Sequence, residues 1–380
     1  MINAGLNEDW HVLETMFPNN WRELAKETGS LVRKLRNFKD EEAVMRTLLL
    51  HVANGYSLRE TVTRAKLSKL ADVTDVALLK RLQCSENWFK SLCMSLLRER
   101  NININKAAHS AIQMRVVDGT VVKEPGKTGS EWRIHYSIRL PDLSCDYFKL
   151  TATKGALTGE SLKQYPVKNG DCIIGDRIYS TVQGISYLAN HEAYSLVRVN
   201  TGSLPLFNVH NEQSFDLLST ISELQEEYAT KEYAIRLKTE DGVWIYGRLC
   251  VLRKSNVAAE MAIKKIKRES SKKQKIAQPT TLEFAKYIIL FTTLPETDFA
   301  TKDIFEWYRL RWQIELVFKR LKSLTAFGHL PKYDDVSARS WLYGKLFVGL
   351  LVEKLIQSAL SISPWGYCLS GENEKQLARI

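Results

Sequence analysis

Two aspartates end or interrupt strongly apolar runs. Val116-Val117-Asp118 and Ile173-Ile174-Gly175-Asp176 each end on a carboxylate. An ionised carboxylate there is costly unless hydrogen bonds or a metal ion offset its charge. Two of them at the ends of adjacent strands of one sheet would make an oxygen-rich site suited to Mg²⁺. For each residue alone, an aspartate accepting backbone N–H bonds at a strand end explains the pattern equally well. The third constellation is the stretch 308–322, YRLRWQIELVFKRLK. On a helix turning about 100° per residue, Tyr308, Arg311, Glu315 and Lys322 fall within a sector of about 60°. Leu310, Ile314, Val317, Phe318 and Leu321 cover the adjoining face. One side therefore packs on a core, and its border presents an acid between two bases and a phenol. Tyr308 and Lys322 lie about 21 Å apart along such a helix. They cannot grip one small phosphate together, but they can follow a nucleic-acid strand while Glu315 sits at a metal. A solvated helix edge gives the same pattern.

The elements that must position these residues are legible in outline. Residues 1–112 read as helical, with apolar positions recurring at three and four in Val44, Leu48, Leu49 and Val52. Arg59, Arg64, Lys66, Lys69, Lys80 and Arg81 on short helices fit a DNA-binding module or a small bundle with a basic face. From 113 the period changes to two. Strands are expected at 114–122, 132–140 and 147–153, then at 171–175 and 195–199, with a helix at 181–190 between the last two. This is a mixed α/β order in residues 113–200. Residues 201–284 read as a β-rich insertion, with strands at 233–237 and 243–253 around the turn Glu240-Asp241-Gly242. It also carries a basic run: Arg253 to Lys275 holds nine Lys/Arg against two Glu. Residues 285–330 add a strand at 287–292 and one long amphipathic helix at 302–324. Residues 331–380 read as a short helical C-terminal segment and a polar tail.

Composition narrows the function. The chain has 380 residues, 44% hydrophobic and 26% charged, an ordinary globular balance. Lys+Arg 54 against Asp+Glu 43 gives +11, a surplus that suits a polyanionic partner. The six cysteines form no C-x-x-C pair and the seven histidines no H-E-x-x-H, so a zinc site or disulfide scaffold is not expected and a reducing, cytoplasmic setting is. The start shows no signal peptide. Lys345, Glu353 and Lys354 interrupt the longest apolar stretch, so no membrane span is expected.

Tyr308, two residues, Arg311, three residues, Glu315, six residues, Lys322 resembles the YREK signature of DDE transposases of the insertion-sequence-four type. Asp118-Gly119-Thr120 is similar to that family's first acidic motif and Gly175-Asp176-Arg177-Ile178-Tyr179 to its second. Gly159-Glu160-Ser161-Leu162 and Thr292-Thr293-Leu294-Pro295 are also family-like. The resemblance spans about 113–330. It implies an RNase H-like catalytic domain, a mixed five-stranded sheet interrupted by the β-rich insertion. It further implies that Asp118, Asp176 and Glu315 bind two Mg²⁺ ions, with Mn²⁺ a substitute. The chemistry implied is hydrolysis that frees a 3′-OH, then strand transfer. Tyr308, Arg311, Lys322 and Arg177 would hold DNA backbone. Tyr287 would offer a ring to a flipped base, or simply pack in the core. Lys264, Lys265, Lys267 and Arg268 would meet phosphate, on a loop that orders when DNA binds. The partners implied are double-stranded DNA, both terminal inverted repeats and target, and a second protomer in a synaptic homodimer, in a bacterial nucleoid. Relatives of this type continue with a longer helical C-terminal region than the segment ending near Ile362. Two alternatives stay open: a truncated or decayed copy that binds element ends as an inhibitor, and another RNase H-like DNA nuclease.

Overall fold

The computed structural model describes residues 5–31, 35, 37–105, 112–123, 131–140, 143–324 and 334–362. The N-terminal helices are α1 (Gly5–Glu14), α2 (Trp21–Glu27), α3 (Glu41–Val52), α4 (Leu58–Leu67), α5 (Asp75–Gln83) and α6 (Glu86–Asn105). Next come β1 (Gln113–Lys123), β2 (Glu131–Arg139), β3 (Cys145–Ala152), β4 (Asp171–Gly175), α7 (Val182–Ala189) and β5 (Tyr194–Arg198). After these lie β6 (Phe207–Asn208), α8 (Leu217–Ser222), β7 (Thr230–Lys238), β8 (Trp244–Arg253), α9 (Asn256–Lys272), α10 (Pro279–Phe284) and β9 (Tyr287–Thr292). The chain ends in α11 (Thr301–Arg309), a 3-10 turn at Leu310–Trp312, α12 (Gln313–Leu324) and α13 (Asp335–Ile362). No helix of the described residues is long and apolar enough to cross a membrane.

Two compact units result. One comprises Met1–Ile104, Lys123–Ser130 and Arg320–Ile380, the other Asn105–Val122 and Glu131–Lys319. The first is helical. Trp88 stacks on Trp21 at 6.2 Å and donates Nε1–H to its carbonyl, while Phe347 of α13 meets Phe17 at 5.1 Å and Phe89 at 6.2 Å. Burying such rings contributes roughly 1.5–3 kcal/mol each. Arg339 donates to Glu86 at 2.9 Å, further tying α13 to α6. The C-terminal segment thus packs with the N-terminal helices instead of standing apart, because its aromatic residues complete their core. Helices α4 and α5 start on proper caps: Ser57 accepts from the Glu60 N–H and Thr74 from that of Ala77. They carry exposed Arg59, Arg64, Lys66 and Lys80. The polar tail from 363 lies outside the described residues.

The second unit is a mixed α/β body around one nine-stranded sheet, in the order β3-β2-β1-β4-β5-β9-β8-β7-β6. Strands β1, β4 and β5 run parallel, and β9 joins β5 antiparallel. The five expected core strands form one side of the sheet. The stretch read as an insertion is not a separate body, because β8 pairs with β9 over six registered residues and prolongs the same sheet. It also contains three helices. The basic run is one of them, α9, and not a loop. Ser255 caps it, and Ala259, Ala262, Ile263, Ile266 and Ser270 recur at helical spacing on its less exposed side. The expected single helix at 302–324 is divided by the 3-10 turn, which tightens the winding between Tyr308 and Glu315. Alternation along the strands gives two apolar faces. Val117, Ile173 and Val197 face a core with Ile185 and Leu188 of α7. Val116, Ile174 and Leu196 are buried on the opposite face.

Candidate active site

The parallel strands open their C-terminal ends on one edge, where ligands of α/β sheets bind. Their register sets Val116 beside Ile174 and Ile174 beside Leu196. Two residues further along each chain stand Asp118, Asp176 and Arg198. Asp176 lies just past β4 but remains extended, at φ −80° and ψ −168°. Side chains alternate, so all three share one face, and neighbouring strands are about 4.8 Å apart. The result is a row of acid, acid and base across three strands.

Each acid is held locally. Asp118 Oδ1 accepts from the Gly119 N–H at 2.8 Å, and Asp176 Oδ1 from that of Ile178 at 2.8 Å. The buried Tyr165 hydroxyl donates to the Asp118 carbonyl at 3.0 Å and lies 3.2 Å from the hydroxyl of Tyr179. Tyr179 belongs to the second acidic motif, so this hydroxyl pair links the two strand ends. Gly175 is glycine for a steric reason: a Cβ there would stand 2.9 Å from Tyr179 Cβ.

The charges are not balanced. Burial pushes the Asp118 carboxyl up to about 7; the Gly119 N–H opposes this, the carboxylates of Asp176 and Glu160 add to it, and Arg311 counters them. Burial lowers the basicity of Arg198, and so do the positive charges of Arg177 and Arg311. Arg198 Nε has no hydrogen-bond partner among the described residues. Lys254, just past β8, is brought down to about 8 by burial and by Arg198, Arg177 and Arg253. Acids and cations therefore crowd one edge with incomplete mutual pairing.

The four residues of the signature are placed differently. Tyr308 on α11 is half-buried, and after burial its hydroxyl responds most to Arg311, Arg198, Asp176 and Arg177, which places it in the group. Arg311, in the 3-10 turn, donates Nη2–H to Glu315 Oε1 at 2.8 Å and feels the charge of Asp118. The Glu315 side chain is 55% exposed and paired with this arginine. Among the described residues, no three His, Cys, Asp or Glu side chains are gathered closely enough to hold a metal ion. Lys322 is exposed, on the part of α12 that belongs to the helical unit. Arg177 is exposed beside Asp176. Lys264, Lys265, Lys267 and Arg268 are exposed on α9. Of the two readings of Tyr287, base stacking or core packing, the structure fits the second. Its side chain is 1% exposed, in the sheet core, with the Arg253 guanidinium 5.3 Å from the ring centre.

Arg198 was not singled out in the sequence, although Ser195-Leu196-Val197-Arg198-Val199 is a charge inside an apolar run, the same signal that marked Asp118. Lys254 was counted only as part of the basic run. Glu160 was noted for its motif without a role. Hard oxygen donors fit a divalent cation, and Asp118 and Asp176 supply them from neighbouring strands.

Residues 151–351 match the transposase DDE domain family. InsL of insertion sequence element IS186A from Escherichia coli strain K12 is 30% identical over 344 residues, 90% of this chain and 91% of the relative. The transposase of insertion sequence element IS421 from Escherichia coli is 30% identical over 345 residues, with the same coverage. The transposase of insertion sequence element IS231F from Bacillus thuringiensis subsp. israelensis is 29% identical over 102 residues, 27% of this chain and 21% of the relative. The chain belongs to the DDE transposase family, of the insertion-sequence-four type that its motifs resemble.

Proposed function

We propose that this protein is a DNA transposase that moves an insertion sequence by cut-and-paste, with Asp118, Asp176 and Glu315 as its acidic centre. The observation that carries the reading is the row of Asp118 and Asp176 on adjacent parallel strands, in a chain whose relatives are insertion-sequence transposases. The five strands β1–β5 fit an RNase H-like catalytic domain.

Asp118 and Asp176 would hold divalent ions, Mg²⁺ by choice, and Glu315 would join them. When bound, such ions would supply Lewis acidity for the displacement at phosphorus and stabilise the oxygens that enter and leave. The chain's own residues do the rest. Arg198, Arg311 and Tyr308 receive the backbone of the strand to be cut; arginine offers phosphate two parallel N–H donors. Arg311 now spends one of them on Glu315. A phosphate competes for that guanidinium and frees Glu315 to turn toward the aspartates. Arg177, Lys254, Lys322 and the cations of α9 hold flanking duplex. A second protomer completes the complex that joins two element ends.

The test is incubation of the protein with a DNA fragment bearing the element's terminal inverted repeats and Mg²⁺. End-specific nicks that leave 3′-OH groups are expected, and affinity should fall with salt at a log–log slope of about −0.9 per phosphate neutralised. Binding of the ends without any cleavage would replace this reading with that of an inhibitor.

A further inference from the structure

We propose that Glu160 is a positioning residue of this site: held by Arg133 beside Gly119, its carboxylate strengthens the grip on a divalent cation while Asp118 and Asp176 ligate it. The inference rests on the reading of those two aspartates as cation-holding.

Glu160 lies between β3 and the 3-10 turn Leu162–Gln164, and its segment is tied to the sheet on both sides. Arg133 of β2 donates Nη1–H to the Thr158 carbonyl at 2.7 Å and holds Nε 3.3 Å from Glu160 Oε1. Gln164 donates to the carbonyls of Leu157 at 2.6 Å and Gly159 at 3.1 Å. Lys149 of β3 in turn donates to Gln164 Oε1 at 3.0 Å. The carboxylate so held occupies the space beside Gly119 that a side chain would need: a Cβ at that position would stand 2.7 Å from Glu160 Oε1. The glycine that follows Asp118 and the carboxylate of Glu160 are thus fitted to each other.

A salt bridge with Arg133 alone does not require this fit. It brings a third negative charge, 16% exposed, to the place where Asp118 and Asp176 already repel one another. Arg311 offsets part of this charge at Asp118, and an arriving cation adds to that offset. Held by Arg133 and fitted beside Gly119, Glu160 acts through its charge and not by ligation. Glu315, more exposed and paired with Arg311, has no such fixed place.

The experiment is titration of the full chain with Mn²⁺, reading free Mn²⁺ by electron paramagnetic resonance, with circular dichroism and the thermal midpoint as checks of folding. Asp118→Asn and Asp176→Asn should lose the tight site. Glu160→Gln should bind about tenfold more weakly or worse, the range seen when groups that support metal ligands are removed, with its secondary structure intact. Glu160→Asp, which keeps the charge, should recover part of the affinity. Gly119→Ala, which displaces the carboxylate and leaves every charge in place, should weaken binding too. If Glu160→Gln and Gly119→Ala titrate like wild type while the two aspartate variants lose binding, Glu160 is only the partner of Arg133 and the proposal is overturned. If the aspartate variants also titrate like wild type, the cation site itself is misassigned and both readings fall.

Discussion

The two ends of β1 and β4 treat charge in opposite ways. Toward their N-terminal ends, Arg115 lies between Asp146, at 2.6 Å, and Asp171, at 2.9 Å, and donates to the Pro166 carbonyl at 2.8 Å. All three side chains are buried, and Asp171 accepts in addition from the Lys168 N–H. Beyond the last β1–β4 pair, Asp118 instead has Asp176, Arg311 and Glu160 for neighbours, and Arg198 has Arg177, Arg311 and Asp176. Among the described residues, opposite charges pair directly at one end, and at the other Asp118, Asp176 and Arg198 share an edge without a salt bridge. A buried ion network of this kind serves the fold, and removing one member exposes the cost of the rest. A carboxyl that burial, and after it the acids Asp176 and Glu160, raise to about 7 costs stability and makes sense as half of a complex.

That contrast can be broken or sharpened by substitution. The largest effect should be on chemistry. Asp118→Ala, Asp176→Ala and Glu315→Ala should each cut end cleavage by about a thousandfold or more, since metal-ion assistance is worth several kcal/mol. All three should stay folded by circular dichroism. At the other end, Arg115→Ala should cost about 3–5 kcal/mol of stability in urea unfolding, because it leaves two carboxylates buried without their cation.

Asp118→Asn should do the reverse. The folded carboxyl titrates near 7 against 3.8 for the ordinary group, so its charged form is disfavoured by folding. The penalty is fully present above about 7, shrinks as pH falls, and is gone below 3.8. The metal-free Asn variant should therefore exceed wild type by roughly 1–3 kcal/mol at pH 8 and match it near pH 4. The smallest effect is that of Arg198→Ala on DNA binding. It should weaken binding about equally across sequences and reduce the magnitude of the salt slope by about one unit.

Much of this was legible in local pattern. The period-two runs around Val116, Ile174 and Leu196 gave the core strands, and the carboxylates that interrupt two of them gave the row's acids. The turn at Glu240-Asp241-Gly242 gave the β7–β8 hairpin, with Gly242 at φ 79° where a left-handed residue is needed. What stayed hidden depends on partners distant in sequence. No local feature announces that β8 pairs with β9, or that Phe347 packs on Phe17 and Phe89. The helix α9 was within reach: the apolar spacing from Ala259 to Ile266 was present, but nine cations drew the reading toward a loop. Tyr287 shows the limit of resemblance, because a matching position does not fix whether a ring faces solvent or core. Glu160 shows another, since its meaning lies in a contact with Gly119 forty-one positions earlier.

The central proposal is that Asp118 and Asp176 hold a divalent cation. The most direct measurement is urea unfolding at pH 8, with and without saturating Mg²⁺, for wild type and Asp118→Asn. A cation at a hundred times its Kd should add about 2.7 kcal/mol to the wild type. It should add little to the variant, so that the advantage the variant holds in metal-free buffer disappears. Equal stabilisation of both proteins, or none of either, would contradict the account.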